Sequence, residues 1–141
     1  MMTSTEFFLR LSAAALAGLF IGFERQWQHK SAGLKTNMLV AMGGAIFTML
    51  SIQFDHFSND VDVTRIIAQV VSGVGFLGAG IIFKEGFSVH GLTTAATIWC
   101  SAAIGCVAAS GYFLETLIST ALVLVINVGL QPLDTWMKNR K

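Results

Sequence analysis

The run Gly73-Val74-Gly75-Phe76-Leu77-Gly78-Ala79-Gly80 carries the spacing of a dinucleotide-binding fingerprint. That chemistry needs the glycines between a strand and a helix of a βαβ unit, where a pyrophosphate can meet the helix N-terminus. Residues 73–80 lie instead inside an apolar stretch, 66–83, that has helical length and no strand before it. In an apolar helix, glycine removes the side chain that holds neighbouring backbones apart. Gly73, Gly75, Gly78 and Gly80 are therefore read as a packing face. Gly18 and Gly22 join them, since Ala14, Gly18 and Gly22 recur every four residues, as do Ser101, Gly105 and Ala109. The alternative for residues 73–80 is local unwinding that offers backbone carbonyls to a solute, as in transporters with broken helices.

Polar residues within the apolar stretches also recur at helical spacing. Glu6, Arg10, Ala13, Ala17 and Glu24 share one face; Arg65, Gln69 and Ser72 follow an i, i+4, i+7 pattern. His90, Thr94, Thr97 and Ser101 form a third stripe, and Asn37, Thr48 and Ser51 a fourth. Such stripes either hydrogen-bond to one another across a bundle or line a polar cavity that opens past Arg10 and Arg65. Arg10, about one turn inside its stretch, either pairs with Glu6, Asp60 or Asp62 or reaches out to the lipid headgroups. No ionisable residue falls near the middle of any stretch. A dehydrated divalent cation, which is usually held through carboxylate oxygens, has no evident midplane site in one copy, although backbone carbonyls or an oligomeric pore could still serve. The metal question thus stays open. No nucleophile–base constellation can be assembled from His29, His56 and His90, which lie near the ends of the stretches, so no enzymatic activity and no cofactor are expected. Cys100 and Cys106, six apart in an apolar run, indicate neither a disulfide framework nor a metal site.

The elements that must position these residues follow from composition. Of 141 residues, 54% are hydrophobic and 12% charged, with a mean hydropathy of +0.68. A soluble domain carries about 25% charged residues. A water-soluble fold this short could not hide so much apolar side chain, so the bilayer is its solvent. Apolar stretches at roughly 7–23, 36–54, 66–83, 92–109 and 113–131 each approach the length that crosses a hydrocarbon core. Pro132 closes the last, where a helix should stop. The first is no cleaved signal, because it opens on Thr-Glu and Arg10 interrupts it. A net charge of +1 without a clustered basic face gives no ground for a nucleic-acid partner.

Charge then orients the chain. With the amino terminus outside, Arg25, Lys30, Lys35, Lys84, Lys138, Arg140 and Lys141 all fall on the cytoplasmic side and only Arg10 and Arg65 outside, as the positive-inside rule requires. The fold class expected is all-α: a polytopic bundle of about five transmembrane helices with a cytoplasmic carboxyl terminus. Residues 1–141 read as a single transmembrane domain without a soluble carboxyl-terminal domain.

Three blocks resemble the MgtC/SapB family. They are Glu24-Arg25-Gln26-Trp27 with Ala32-Gly33-Leu34-Lys35-Thr36-Asn37, the run from Arg65 to Gly80 that contains Gln69, and Gly91-Leu92-Thr93-Thr94-Ala95-Ala96-Thr97-Ile98-Trp99. Together they span most of residues 18–109 in family order. The family usually has Arg at the position of Lys35, a change that keeps the charge but loses the planar fork. The resemblance implies a bacterial inner-membrane, multi-pass protein linked to growth in low magnesium and, in pathogens, to survival in macrophages. It implies regulation of other membrane machines, the ATP synthase among them, with magnesium or solute transport as the alternative. The partners expected are the lipid bilayer, a membrane protein and a second copy of the chain. The residues it marks as functional are Glu24, Arg25, Lys35, Thr36, Asn37, Arg65, Gln69, Thr93, Thr94 and Trp99.

Overall fold

The computed structural model describes residues 2–55 and 62–138. The chain forms α1 (Ser4–Trp27), α2 (Leu34–Asp55), α3 (Val63–Ile81), a two-stranded hairpin of β1 (Phe83–Glu85) and β2 (Ser88–His90), α4 (Leu92–Ala109), α5 (Phe113–Gly129) and the short α6 (Gln131–Lys138). Five helices are long and apolar enough to cross a membrane, the last span running from Phe113 to Leu133. Their number matches the five stretches expected; α1, α2, α3 and α5 differ from those stretches at their ends, and Pro132, expected to close the last, lies in the first turn of α6.

Local chemistry explains the ends. Thr3 and Glu6 form a capping box at the start of α1, with Thr3 N–H donating to Glu6 Oε2 at 2.8 Å and Glu6 N–H to Thr3 Oγ1 at 3.2 Å. At its other end α1 runs on to Trp27, so Glu24 and Arg25 occupy its last turn rather than a loop. Asp62 caps α3, accepting from the Thr64 hydroxyl at 2.6 Å and its backbone N–H at 2.9 Å. The hairpin was not foreseen. Its alternating Phe83, Glu85 and Ser88, His90 pair across a two-residue turn in which Gly86 takes a φ of +59°, the position that a type II′ turn reserves for glycine. Phe83 stacks on His90 with ring centroids 5.4 Å apart.

Helix α4 is the axis of the bundle. More than half of its apolar stretch is buried (56%), against 6% for α3. It lies beside α1, α2, α3 and α5. Between bilayer-spanning helices the driving force is close packing rather than exclusion of water, and this core is accordingly small in its side chains. One cluster is Ala14, Ala45, Met49, Ala108 and Ala109; another is Ala17, Ile21 and Ile104. Glycine sets the spacing. A Cβ on Gly18 would stand 2.6 Å from the Asn37 carbonyl oxygen, one on Gly22 2.6 Å from Leu34 Cα, and one on Gly44 2.7 Å from the Ala102 carbonyl oxygen. A Cβ on Gly105 would collide with the Ala41 carbonyl. All four obstacles are backbone atoms, which cannot rotate away.

Replacing Gly105 by Val should therefore destabilise the bundle by about 1–3 kcal/mol or more, whereas Gly129→Val, where nothing lies within 4 Å, should be nearly neutral. Thermal unfolding of the two variants in detergent checks the contrast. Hydrogen bonds from Thr64 hold the Asp62 carboxyl below its usual range. The cap therefore contributes fully above the ordinary carboxylate pKa and is lost as pH falls through the depressed value. Amide exchange at Thr64, referenced to Asp62→Asn, should accelerate in acid only in the native sequence.

Candidate functional site

Two polar layers lie at one end of the bundle, where α1 ends and α2 and α4 begin. The deeper layer is built on Asn37, in the first turn of α2 and fully buried. Its Oδ1 accepts from the Ser101 hydroxyl of α4 at 2.8 Å. Its Nδ2 donates to the carbonyls of Ala32 at 2.6 Å and Gly33 at 3.0 Å. Those carbonyls belong to the α1–α2 turn, in which His29 and Ala32 both take positive φ, 55° and 60°. A left-handed non-glycine residue needs support, and Asn37 supplies it from below.

The second layer lies seven residues along both α1 and α4, about 10 Å away at 1.5 Å per residue. Arg25 is buried there, its Nη2 donating to the Thr94 hydroxyl at 3.1 Å. Glu24, also buried, accepts at Oε2 from Asn127 Nδ2 of α5 at 3.1 Å. A buried carboxylate and a buried guanidinium on consecutive residues offset one another in net charge. Removing either would leave an uncompensated charge in low dielectric. Glu24 Oε1 and Arg25 Nε are buried without a hydrogen-bond partner among the described residues.

The structure thus brings Glu24, Arg25, Asn37 and Thr94 together. Lys35, Thr36 and Thr93 lie at the same end with exposed side chains, although the Thr93 carbonyl accepts from Thr97. Thr93 and Thr94 do not cap α4: the N-cap is Gly91, in left-handed conformation and held against the Ile81 carbonyl. Trp99 stands half exposed beside a cleft of about 330 Å³ between α3 and α4. Arg65 and Gln69 are exposed at the opposite end of the bundle.

Sequence reasoning missed Asn127 and Gly44. Asn127 is a lone amide in a long apolar run, which is itself a signal: such a group rarely sits in a membrane helix without a partner. Gly44 lies beside Gly43, and only the fold tells which of the two is crowded.

Several expectations need correction. Arg10 does not pair with Glu6, whose carboxylate serves the cap; its Nη1 donates to the Ala109 carbonyl at the end of α4 at 2.8 Å. Asp60, His56, Arg140 and Lys141 lie outside the described residues. The polar stripes do not all bond across the bundle. Thr48, Thr97, Ser110, Thr116 and Thr120 donate to carbonyls four residues back in their own chain. Helix α3 is continuous from Val63 to Ile81, so the unwinding weighed for residues 73–80 is not present. Of its glycines, a Cβ on Gly78 would meet Ala95 Cβ at 3.5 Å, an ordinary contact, while Gly73, Gly75 and Gly80 have nothing within 4 Å where a side chain would start. Gly18 and Gly22, by contrast, are in close backbone contact.

The polar residues in these layers fall within the region matched by the MgtC family model, which spans residues 11–136. The chain belongs to the MgtC family. It is 52% identical over 127 residues to Protein MgtC of Brucella abortus, covering 86% of this chain and 52% of that protein. It is 49% identical over 127 residues to Protein MgtC of Salmonella typhimurium, covering 90% and 53%. An uncharacterised protein of Synechocystis sp. is 48% identical over 139 residues, covering 99% and 58%. The chain therefore spans about half the length of these curated relatives. No solved structure matches it.

For this MgtC-family bundle, a double-mutant cycle on Asn37→Ala and Ser101→Ala should give a coupling of about 1 kcal/mol. Asn37→Ala alone should cost more than Ser101→Ala alone, because it also releases the Ala32 and Gly33 carbonyls. Unfolding of the four proteins in detergent measures both numbers.

Proposed function

We propose that this chain acts as an inner-membrane MgtC-type protein that supports growth or survival under low magnesium by regulating other membrane proteins, the ATP synthase among them, with its basic loops in the cytoplasm. It is a binding protein rather than an enzyme. The observation that carries this reading is the outward face of α3. A helix that meets only lipid turns its apolar side outward. Here Ile67, Val70, Val74 and Ile81 turn toward the bundle, while Arg65, Ala68, Gln69, Ser72, Gly75, Ala79 and Gly80 are exposed alongside Val71, Phe76 and Leu77. Small residues that leave backbone accessible, with an amide and a hydroxyl among them, form the surface on which a second membrane helix packs best. Phe76, 81% exposed in the middle of this face, offers an anchor for it.

The polar layers support the same reading in another way. Glu24, Arg25, Asn37, Thr94, Ser101 and Asn127 fasten four helices to one another, which gives α3 a fixed platform. Lys35, Thr36 and Thr93 remain exposed at that end as the groups available to a partner outside the bilayer.

A photo-crosslinking residue at position 76 of the full-length protein in native membranes should trap a second membrane protein. Gly75→Leu with Gly80→Leu should reduce the adduct at least about tenfold, equivalent to 1.4 kcal/mol of docking energy, without altering detergent stability. An adduct with another copy of the chain alone, or none in cells starved of magnesium, would refute the regulatory reading.

A further inference from the structure

The polar fastenings of the bundle leave one helix out. Arg25 and Arg10 join α1 to the two ends of α4, Asn37 joins α2 to α4, and Glu24 joins α1 to α5. Among the described residues, no side-chain hydrogen bond joins α3 to another helix; its own are the local bonds between Thr64 and Asp62. The buried residues of α3 are Val74 and Gly78, so nothing from Val63 to Gly73 is buried. Membrane helices are held together by close packing and by hydrogen bonds between them, and the first half of α3 is short of both. Segments with few buried contacts are those that open and move most readily.

The second half is anchored. A Cβ on Gly78 would meet Ala95 Cβ at 3.5 Å, and one on Gly91 would collide with the Ile81 carbonyl. Ile81 also packs, together with Val40 of α2, against the cluster of Val74, Ile98 and Ala102. From Gly78 back to Ile66 is about 18 Å of helix at 1.5 Å per residue. A small rotation at the anchor grows over that length into a displacement of the far end.

Space for the displacement lies on both flanks. Between α3 and α2 is a cleft of about 620 Å³, reaching from Ile66 to Leu77 on α3 and from Leu39 to Phe47 on α2. Between α3 and α4 is the cleft of about 330 Å³ beside Trp99, which reaches Ile67 on α3 and Val107 on α4. Val70 and Val74 line both. Helix α3 therefore rests on the bundle along a ridge with a gap on either side. Close-packed proteins hold few voids larger than a water molecule, so a helix seated in this way gains contacts by leaning into either gap. The walls admit close approach: Gly43 and Gly73 on the α2 side have nothing within 4 Å of the place a Cβ would take, and the α4 side is lined by Ala102 and Ala103.

We propose that α3 is a lever. Anchored at Gly78–Ile81, it leans across the ridge of Val70 and Val74, closing the α2 cleft in one position and the α4 cleft in the other. Each movement exchanges apolar contacts on one neighbour for apolar contacts on the other, which keeps the two positions close in energy. Anything that binds one position better shifts the population toward it. The movement belongs to the chain alone and stands whether or not a membrane protein docks on the outward face.

The full-length protein, with its natural cysteines replaced by alanine, is given cysteine pairs and oxidised in native membranes. Gly78→Cys with Ala95→Cys reports the anchored end, where the Cβ positions already lie within disulfide range. Phe47→Cys with Ile66→Cys reports closure on α2, and Ile67→Cys with Val107→Cys reports closure on α4. Collective helix motions take microseconds to milliseconds, so oxidation over minutes samples both positions. All three pairs should form disulfides, the anchored pair fastest. Adding Gly43→Leu and Gly73→Leu fills the α2 cleft at two positions open to a side chain. It should reduce the Phe47–Ile66 disulfide at least about tenfold and leave the Ile67–Val107 disulfide in place, while the anchored pair, still forming, shows that the bundle is folded. Failure of either swinging pair where the anchored pair forms would overturn the lever. So would a Phe47–Ile66 disulfide that is indifferent to filling the cleft.

Discussion

The closeness of three backbones governs this structure. Helices α1, α2 and α4 meet where Gly18, Gly22, Gly44 and Gly105 leave main-chain atoms of one helix against those of the next. Lipid tails are as apolar as leucine, so a membrane bundle gains little by hiding leucine; it gains by dispersion between atoms brought into contact and by the hydrogen bonds that contact permits. The alanine-rich core follows, and so does the exposure of the large side chains: Phe8, Phe20, Phe23 and Phe47 face outward. The helices are arranged the other way round from those of a soluble bundle.

That closeness is also what lets short side chains span from helix to helix. The Ser101 hydroxyl reaches Asn37 only because α4 lies against α2 through Gly105 and Gly44. The arginines set register along the bundle. Arg25 meets Thr94, and fifteen residues back along α1 and fifteen forward along α4, Arg10 meets the Ala109 carbonyl. Two fastenings about 22 Å apart leave α1 no freedom to slide on α4. Arg10 gains further from its site, since the last carbonyls of a helix carry partial negative charge and Gly111, at a φ of +85°, leaves room for the guanidinium.

Helix α3 is under neither constraint. It meets α4 through Val74, Ile98 and Ala102, with Val40 of α2 packed against the same cluster. The helix least buried in the bundle is the element best able to answer to what lies beyond it. Its exposed side carries small and polar residues together with Val71, Phe76 and Leu77, which is why its glycines and its Arg65–Gln69–Ser72 stripe were legible as a feature while their direction was not. A stripe of small and polar residues reads the same whether it points in or out.

The amino-acid sequence by itself determined the number of spans, the places where they are interrupted and the family. These depend on local quantities, namely apolar run length, caps and the order of short blocks. It also marked Glu24, Arg25, Asn37 and Thr94, but as members of separate loops and stripes. Only the tertiary structure decided that these four share one end of the bundle with Ser101 and Asn127, that Arg10 belongs to α4, and that Gly18 is crowded while Gly75 is bare. Those outcomes depend on which helix lies beside which and at what axial offset. Helical spacing fixes the face on which a residue lies; the register between helices, which fixes what that face meets, is set by the whole bundle at once.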